Sequence, residues 1–378
     1  MAHLELKHLC LLENTVSYIQ IGGNTMTDIL DNVNVIAQRD PEGALKVIAN
    51  QYKQAKFDAK VWNPEHDDRE ITSVVVTGMG GSALAALMVK VLLNKELTIP
   101  FDIIRGYDLP SYVNRNTLVI ASSYSGNTEE TLSALDQAEA KGAQIAILAS
   151  GGKLIDIATE YDMAHVPLPS GAQPRMAMIS NLRGLFALLE SFDVVSDKWL
   201  KELEHLSGWL EDETAKWTPD VPTEKNYAKQ LALEAIGKTP VFYGTPLTAP
   251  LAYKWKISWN ETAKNVAFWN EFPEFNHNEF MGWVSHPIEK PFAVFDILSP
   301  LDTPRVRQRF ELSDRLLSGL RPHAFTLELE GDTLLAQLLW GAILADFSST
   351  YAAVLNQVDP TPVVLIEKLK KELADNPR

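Results

Sequence analysis

The chain has 378 residues, 46% of them hydrophobic, so it is too long for one ordinary core and has ample material for two. Its formal net charge of −15 argues against nucleic acid or an anionic membrane as the main partner. The single cysteine, Cys10, excludes an intrachain disulfide and fits a reducing compartment, so we expect a cytoplasmic protein.

The segment over residues 1–25 has weak periodicity and precedes a second possible start at Met26. Its apolar run is short, is interrupted by Glu13 and follows no basic region, which is unlike a signal peptide. We therefore expect an N-terminal appendage. No uninterrupted apolar run of about 18 residues occurs in the chain, so a membrane span is not expected.

Strand patterns alternate with helical patterns through the first half of the chain. The predicted strands are Ser73–Thr77, Phe101–Ile104, Thr117–Ser122, Gln144–Ala149 and a brief strand near 165–167. Helices are predicted near 82–93 and 129–141. Continuous apolar strands between amphipathic helices predict a parallel sheet covered on both faces, with right-handed crossovers.

A second series of strands and helices follows an acidic helical stretch at 195–217. Its strands are predicted at 239–245, 292–298 and 324–330, each before a helix. The pattern predicts an α/β protein with two domains. The expected divisions are an appendage over 1–25, a first domain with a helical lead-in over 26–195, a helical linker over 196–225, and a second domain with a C-terminal helix over 226–378.

Two polar turns follow strands of the first predicted sheet. TGMGGSA, at 77–83, follows the first strand, and ASSYSGNTEET, at 121–131, follows the third. The carboxyl ends of parallel strands meet at the edge where ligands bind, so we expect the two turns to converge. The hydroxyls of Ser123, Ser125 and Thr128, together with the N–H groups that begin the next helix, suit the oxygens of a phosphate ester.

Three simpler interpretations compete with a phosphate site. Capping by Asn127 or Thr128 explains one or two of the polar residues. The glycines alone could serve only a tight turn between strand and helix. They also match the G-x-G-x-x-A dinucleotide fingerprint, but the next strand carries Arg105 near its end, where that fingerprint asks for an acidic residue.

Three further stretches carry side chains with possible chemistry. QPRMAM places Arg175 at the start of a helix, where a cation opposes the helix dipole. WNETAK places Glu261 on a helix among neutral neighbours, and FPEFNHNEFMGW places His277 between two asparagines. Taken alone, a helical Glu is usually solvated and His277 could be an interface histidine. Metal binding is not favoured, because the eight histidines are scattered and form no H-E-x-x-H motif.

Taken together, these motifs resemble those of a known fold and of one enzyme family. GMGGS and SSYSGNTEET resemble the sugar-isomerase (SIS) fold. With QPR, NETAK, EFNHNEFMGW and VDPTPVVLIEKLKKEL, the chain resembles the bifunctional phosphoglucose/phosphomannose isomerase family over about residues 26–373. The resemblance implies two SIS-type domains, each a mostly parallel sheet with helices on both faces. The SIS fold also serves as a non-catalytic sugar-phosphate-binding module, which is the alternative function.

The resemblance also implies an activity: interconversion of glucose 6-phosphate, mannose 6-phosphate or both with fructose 6-phosphate, without a metal or organic cofactor. Glu261 would be the base that moves a proton between C2 and C1 through a cis-enediol, and Arg175 would stabilise the enediolate. His277 would open the sugar ring from the neighbouring subunit, which requires a homodimer. Thr262 stands where the family usually has Asn, and this change could retune Glu261 or have no effect.

The resemblance assigns two further sets of residues. Lys370 would lie near the sugar oxygens, with Lys368 and Lys371 as alternatives. The substrate phosphate would be held by Gly81, Ser82, Ser123, Ser125 and Thr128.

Overall fold

Two parallel sheets form the frame of the protein. A computed structural model describes the backbone of residues 20–21, 24–285 and 290–376. Most of the expected appendage over 1–25, including Cys10, lies outside the described residues. The α/β class predicted from the alternating pattern is confirmed, because helices connect the parallel strands of both sheets.

The first sheet contains five parallel strands. They are β1 (Ser73–Thr77), β2 (Phe101–Ile104), β3 (Thr117–Ser122), β4 (Gln144–Ala149) and β5 (Ala164–Pro167). Their order across the sheet is β2-β1-β3-β4-β5. Every residue of β1 and β3 is buried, as the continuous Val, Ile and Leu runs predict for strands covered on both faces.

Helices of the first half either precede this sheet or cover it. They are α1 (Met26–Asp31), α2 (Val33–Arg39), α3 (Ala44–Ile48), α4 (Gly80–Leu92), α5 (Glu129–Ala140), α6 (Gly152–Glu160) and α7 (Met178–Ser191). A 3-10 turn over Gln51–Lys56 completes the lead-in. Arg175, expected at a helix start, lies in a separate 3-10 turn over Pro174–Met176 that precedes α7.

The second sheet contains four parallel strands. They are β6 (Thr239–Gly244), β7 (Phe268–Glu271), β8 (Phe292–Leu298) and β9 (Phe325–Glu328), in the order β9-β8-β6-β7. The sequence pattern does not predict β7. It is an edge strand whose Phe268 is 55% exposed, so it lacks the continuous apolar run that marks a buried strand.

Helices of the second half surround this sheet. They are α8 (Lys198–Ala215), α9 (Tyr227–Ala235), α10 (Ala249–Glu261), α11 (Glu279–Gly282), α12 (Pro304–Leu316), α13 (Leu334–Asn356) and α14 (Val364–Asp375), with 3-10 turns at Thr223–Lys225 and Glu274–His277. The predicted linker over 196–225 is mostly α8. Glu213 on α8 accepts a hydrogen bond from the Trp340 indole at 3.1 Å, so this segment packs against α13. The domain boundaries themselves stay predictions.

Helix α13 is the central core helix. By length and composition it is the one helix among the described residues that could cross a membrane, but its apolar window is wholly buried inside the protein. Gln337, Asp346 and the hydroxyl residues 348–350 interrupt its apolar run, which is why the sequence alone does not single it out. The burial identifies it as the core helix of a folded body.

The two sheets repeat one topology. In each, the first strand in the chain lies between the next strand and the one after it: β1 between β2 and β3, and β6 between β7 and β8. The turns after β1 and β3 therefore correspond to those after β6 and β8. This correspondence is invisible in the sequence, because the halves share too little identity.

Candidate active site

The serine-rich turn after β3 folds around its own hydroxyl groups. Oγ of Ser123 lies 2.7 Å from Oγ1 of Thr128 and 3.4 Å from Oγ of Ser125, and it accepts the backbone N–H of Gly126 at 3.1 Å. Ser123 is buried, whereas Ser125 is exposed. The three predicted phosphate-binding hydroxyls thus form one cluster at the carboxyl end of the strand, where ligands bind in this class of fold.

The helices after both polar turns begin without a side-chain cap. Thr128, before α5, makes no capping hydrogen bond with its side chain, and neither does Met79 before α4. Asn127 instead accepts the backbone N–H of Lys153 in α6 at 3.0 Å. Capping of α5 therefore does not explain this turn. The N–H groups that begin both helices face the same edge as the hydroxyls.

Gly81 and Ser82 connect the serine-rich turn to the arginine. The Ser82 hydroxyl accepts the backbone N–H of Tyr124 at 3.0 Å, so the two polar turns are in contact. A Cβ added to Gly81 would lie 2.8 Å from the carbonyl oxygen of Pro174 and 3.3 Å from Cα of Arg175. Only glycine allows α4 to approach the 3-10 turn this closely.

Arg175 extends from that turn into the second half of the protein. Its Nε donates to the Thr262 hydroxyl at 2.9 Å, and its Nη2 donates to the carbonyls of Pro360 and Thr361 at 2.7 and 3.0 Å. The side chain is 1% exposed. Burial lowers the pKa of the Arg175 guanidinium, and the nearby Glu261 carboxylate acts in the opposite direction. The guanidinium is thus fixed in one orientation by groups from the other half.

Glu261, the last residue of α10, faces this guanidinium. Its Oε2 lies 3.4 Å from Nη1 of Arg175. The Glu261 side chain is 27% exposed, so the carboxylate is open on one side while the cation behind it is buried. A carboxylate in this position can exchange a proton with a bound ligand, and the fixed cation can stabilise negative charge that develops on that ligand.

Thr262 and Lys264 organise this cluster, and sequence reasoning gave neither a definite role. Thr262 is wholly buried and holds Nε of Arg175, so its contact is with the arginine. Nζ of Lys264 donates to the carbonyls of Glu261 at 2.5 Å and Pro362 at 2.7 Å. Burial lowers the pKa of Lys264, and Arg175 adds to this effect. The available signal was the NETAK motif, which contains both residues.

A buried ion pair behind the arginine was also missed. Lys254 on α10 and Asp346 on α13 lie 2.5 Å apart, and Lys254 contacts the main chain of Arg175. From the sequence, a lysine in the stretch YKWKIS is expected to be a solvated helix residue. Its partner Asp346 is 92 positions away in the chain. Nothing in the local pattern links the two.

His277 lies apart from this cluster. It is the exposed last residue of the 3-10 turn over Glu274–His277, and within the described part of the chain it forms no hydrogen bond or ion pair with Arg175 or Glu261. Just after it, Glu279 accepts hydrogen bonds from the Tyr243 hydroxyl and from Asn270, which hold this segment against β6 and β7.

Lys370 also lies apart. Helix α14 has no buried residue, and Lys370 is exposed together with Lys368 and Lys371. Among the described residues, none of the three bonds to Arg175 or Glu261. The contribution of a C-terminal lysine therefore stays a prediction.

The described residues show no metal-binding cluster, and the first glycine of the possible dinucleotide fingerprint has a packing role. They contain no group of three or more His, Cys, Asp or Glu side chains placed to hold a metal ion. Gly78, the first glycine of the possible dinucleotide fingerprint, has a structural reason of its own: a Cβ there would lie 2.6 Å from the Ser122 carbonyl oxygen.

Two family models match the chain. The bacterial phospho-glucose isomerase C-terminal SIS domain matches residues 224–373, and the SIS domain matches residues 69–187. The expected fold, two SIS-type domains with mostly parallel sheets, is confirmed.

Solved structures support the same fold. A glucose-6-phosphate isomerase-like protein from Thermus thermophilus matches with a TM-score of 0.58 at 20% identity, over 90% of this chain and 98% of its own. A hypothetical protein from the same organism matches with a TM-score of 0.64 at 16% identity, over 100% of this chain and 95% of its own. At such identities the likeness concerns the fold alone.

Two relatives that match most of the chain at higher identity are named for one enzyme. The bifunctional phosphoglucose/phosphomannose isomerase of Caldicellulosiruptor bescii is 38% identical, over 81% of this chain and 91% of the relative. The protein of the same name from Aquifex aeolicus is 33% identical, over 88% of this chain and 98% of the relative. Because this similarity extends over nearly the whole length of both relatives, the chain belongs to the bifunctional phosphoglucose/phosphomannose isomerase family.

Proposed function

We propose that the protein is an aldose–ketose isomerase that interconverts glucose 6-phosphate, mannose 6-phosphate or both with fructose 6-phosphate. The Caldicellulosiruptor and Aquifex relatives are named for both activities. The observation that carries the proposal is the pairing of Glu261 with Arg175 at 3.4 Å, beside the contact between Gly81 and the arginine turn. A proton-transfer group, a fixed cation and an anion-binding edge are thereby adjacent.

The phosphate ester binds at the two polar turns. The hydroxyls of Ser123, Ser125 and Thr128 donate to its oxygens. The N–H of Gly81 and the hydroxyl of Ser82, at the start of α4, add to them. Two helix N-termini without side-chain caps supply further donors and positive dipole ends. Such a site needs no lysine, which suits a chain with a net charge of −15.

Glu261 moves the proton. In the open-chain aldose it takes the proton from C2, and the electron pair of that C–H bond forms the C1–C2 double bond of a cis-enediol. The electron pair of the C1 carbonyl moves to O1, and the hydroxyl proton of O2 passes to O1. The protonated Glu261 then returns its proton to C1, and the electron pair left on O2 forms the carbonyl of the ketose. C2 is oxidised and C1 is reduced within one molecule, so the reaction needs no redox cofactor.

Arg175 stabilises the enediolate oxygens. Its other nitrogens are bound to Thr262, Pro360 and Thr361, so the cation does not need to reorient when negative charge develops. Preorganised charge of this kind is usually the largest contribution to such catalysis.

His277 acts from the neighbouring subunit of a homodimer, where it opens the ring by moving a proton at the ring oxygen. Its exposure supports this role, as do the exposed apolar side chains in the same segment, Phe268 and Met281, which are 55% and 68% exposed. Lys370 contributes near the sugar oxygens in the same assembly. The acidic protein, with its hexose phosphate substrate, works in the cytoplasm without nucleic acid or membrane partners.

The test is turnover of purified protein with each aldose phosphate, in separate reactions containing excess chelator. We expect fructose 6-phosphate from at least one of them, at a rate that the chelator does not change. Binding of hexose phosphates without turnover would favour the non-catalytic binding module. Protection against thermal unfolding by NAD or NADP, which we do not expect, would favour the dinucleotide alternative.

A further inference from the structure

A fully buried ion pair lies directly behind the arginine turn. Nζ of Lys254 donates to Oδ1 of Asp346 at 2.5 Å and to the carbonyl oxygen of Arg175 at 2.7 Å. The two side chains are 0% and 2% exposed. Oδ1 of Asp346 also accepts the Ser258 hydroxyl at 2.9 Å. The pair therefore holds the main chain of a residue whose side chain reaches the site.

The second oxygen of Asp346 holds the next residue of the turn. Nε2 of Gln51 donates to Oδ2 of Asp346 at 2.8 Å and to the carbonyl oxygen of Met176 at 3.2 Å. Gln54 donates to the same carbonyl at 2.8 Å. Two successive carbonyls of the 3-10 turn are thus bound by one buried network.

One face of α10 links this network to the carboxylate. Lys254, Ser258 and Glu261 are spaced by four and three residues, which places them on the same side of the helix. At one end of the face, Lys254 holds the main chain of Arg175. At the other end, the carboxylate of Glu261 faces the guanidinium of Arg175. A single rigid helix therefore sets the distance between the carboxylate and the cation.

Stability does not explain the pair. Buried ion pairs are often no more stabilising than well-packed apolar side chains of similar volume, because desolvation offsets the attraction. Burial lowers the pKa of Lys254, and the Asp346 carboxylate acts against this effect. The pair instead makes directed hydrogen bonds to the Arg175 carbonyl, the Ser258 hydroxyl and the Gln51 amide, which an apolar pair could not make.

We propose that Lys254 and Asp346 are positioning residues of the isomerase, which fix the Pro174–Met176 turn so that the Arg175 guanidinium stays opposite Glu261. This inference rests on the proposed function. Neither residue touches the substrate, and both act through Arg175.

The experiment compares the wild type with the double variant Lys254→Met/Asp346→Leu, which removes both charges and leaves neither unpaired. We expect the variant to fold with a lowered thermal midpoint, because the Arg175 carbonyl and the Ser258 hydroxyl lose a hydrogen-bond partner. We expect kcat to fall at least about 10-fold, since small misplacement of a catalytic group costs up to about 100-fold, while KM changes less than about 3-fold. A folded double variant with wild-type kcat would overturn the proposal.

Lys229→Met is the matched control. Lys229 is also buried, and its Nζ donates to the carbonyls of Pro219 and Val221 at 2.9 and 2.7 Å beside Asp31, away from the arginine turn. We expect this variant to lose stability and keep kcat. If it lowered kcat as much as the double variant does, general loosening would explain both results and the positioning role would be rejected.

A spectroscopic measurement separates this inference from the proposed function. The ¹⁵N–¹H signal of Arg175 Nε, assigned with Arg175→Lys, should shift in the double variant and stay in place in Lys229→Met. If the wild type isomerises neither aldose phosphate, the proposed function fails, and this signal still decides the positioning role. An unshifted signal in the double variant would refute it.

Discussion

Nη1 of Arg175 and Oε2 of Glu261 lie 3.4 Å apart, although 86 positions separate the two residues in the chain. The arginine comes from the turn before α7, in the first half, and the carboxylate ends α10, in the second. The other two nitrogens of the guanidinium also bind the second half: Nε donates to Thr262, and Nη2 donates to the carbonyls of Pro360 and Thr361. The site thus requires both halves, and each prediction below probes one part of it.

Removal of the base should abolish most turnover. We expect Glu261→Gln to lower kcat by about 10²–10⁴-fold, the usual contribution of a general acid–base group. Stability should also fall, because the buried Arg175 loses its ion-pair partner. Steady-state kinetics with both aldose phosphates would measure this. Glu234→Gln is the control, because Glu234 is also a half-buried residue near the end of a helix in the second half. Wild-type turnover in Glu261→Gln would refute the assignment.

Arg175→Lys should lower kcat by at least about 10²-fold, because an ammonium cannot replace a guanidinium that binds Thr262, two carbonyls and a carboxylate at once. Arg183→Lys is the matched control. Arg183 donates to the carbonyls of Phe57 and Ala55 at 2.7 and 2.9 Å and should affect stability without affecting turnover. Equal losses of kcat in both variants would contradict an electrostatic role for Arg175.

Gly81→Ala should impair binding and turnover together. The new methyl would lie 2.8 Å from the Pro174 carbonyl and would push α4 away from the arginine turn. We expect KM to rise and kcat to fall, each by about 10-fold, when groups move by a fraction of an ångström. Gly208→Ala is the control, since a Cβ there meets nothing within 4 Å and alanine favours the helix. Unchanged kinetics in Gly81→Ala would show that the close contact has no functional role.

Each chain should bind one hexose phosphate. In the second half, the turn after β8 corresponds to the serine-rich turn, but there the N–H of Ser299 donates to the buried carboxylate of Asp302 at 2.7 Å. A carboxylate in that position repels a phosphate, and it already accepts the Ser299 N–H that would otherwise be available to a phosphate oxygen. Isothermal titration with fructose 6-phosphate should give a single site, which Ser123→Ala weakens. Two equivalent sites per chain would contradict this interpretation.

Asp296 should make stability depend on pH. Burial raises its pKa from 3.8 to about 7, and its Oδ1 has no hydrogen-bond partner in the described structure. The folded protein therefore favours the protonated acid, and this residue's contribution is fully present below pH 3.8 and is lost as the pH rises to about 7. The loss is at most about 4 kcal/mol.

Asp296→Asn removes this titration. The variant should melt at a higher temperature than the wild type at pH 8, and the difference should shrink at pH 5. The exposed Asp156→Asn should show no such dependence. An equal difference in melting temperature at both pH values would show that Asp296 does not titrate in this range.

The sequence reveals the frame and the polar turns because both have local signals. The apolar runs of β1 and β3 and the hydroxyls from Ser123 to Thr128 are contiguous in the chain. The edge strand β7 has no such run, since one side of it is exposed.

The supporting contacts of the site could not be predicted in the same way. Lys254 meets Asp346 only because α10 packs against α13, and Gly81 meets Pro174 only because α4 packs against the 3-10 turn. Neither the sequence separation of these residues nor their types predicts that they pair. The family motifs single out Arg175 and Glu261, but the atoms that hold them in place come from tertiary structure.

One apolar cluster runs without interruption through both halves, from Val74 and Ile120 in the first sheet to Phe242 and Phe295 in the second. Because this cluster is continuous, we expect the two halves to unfold together although each has its own sheet. Heat or denaturant should therefore give one transition, with fluorescence and circular dichroism changing together. A destabilising substitution in either half should lower the midpoint of that single transition.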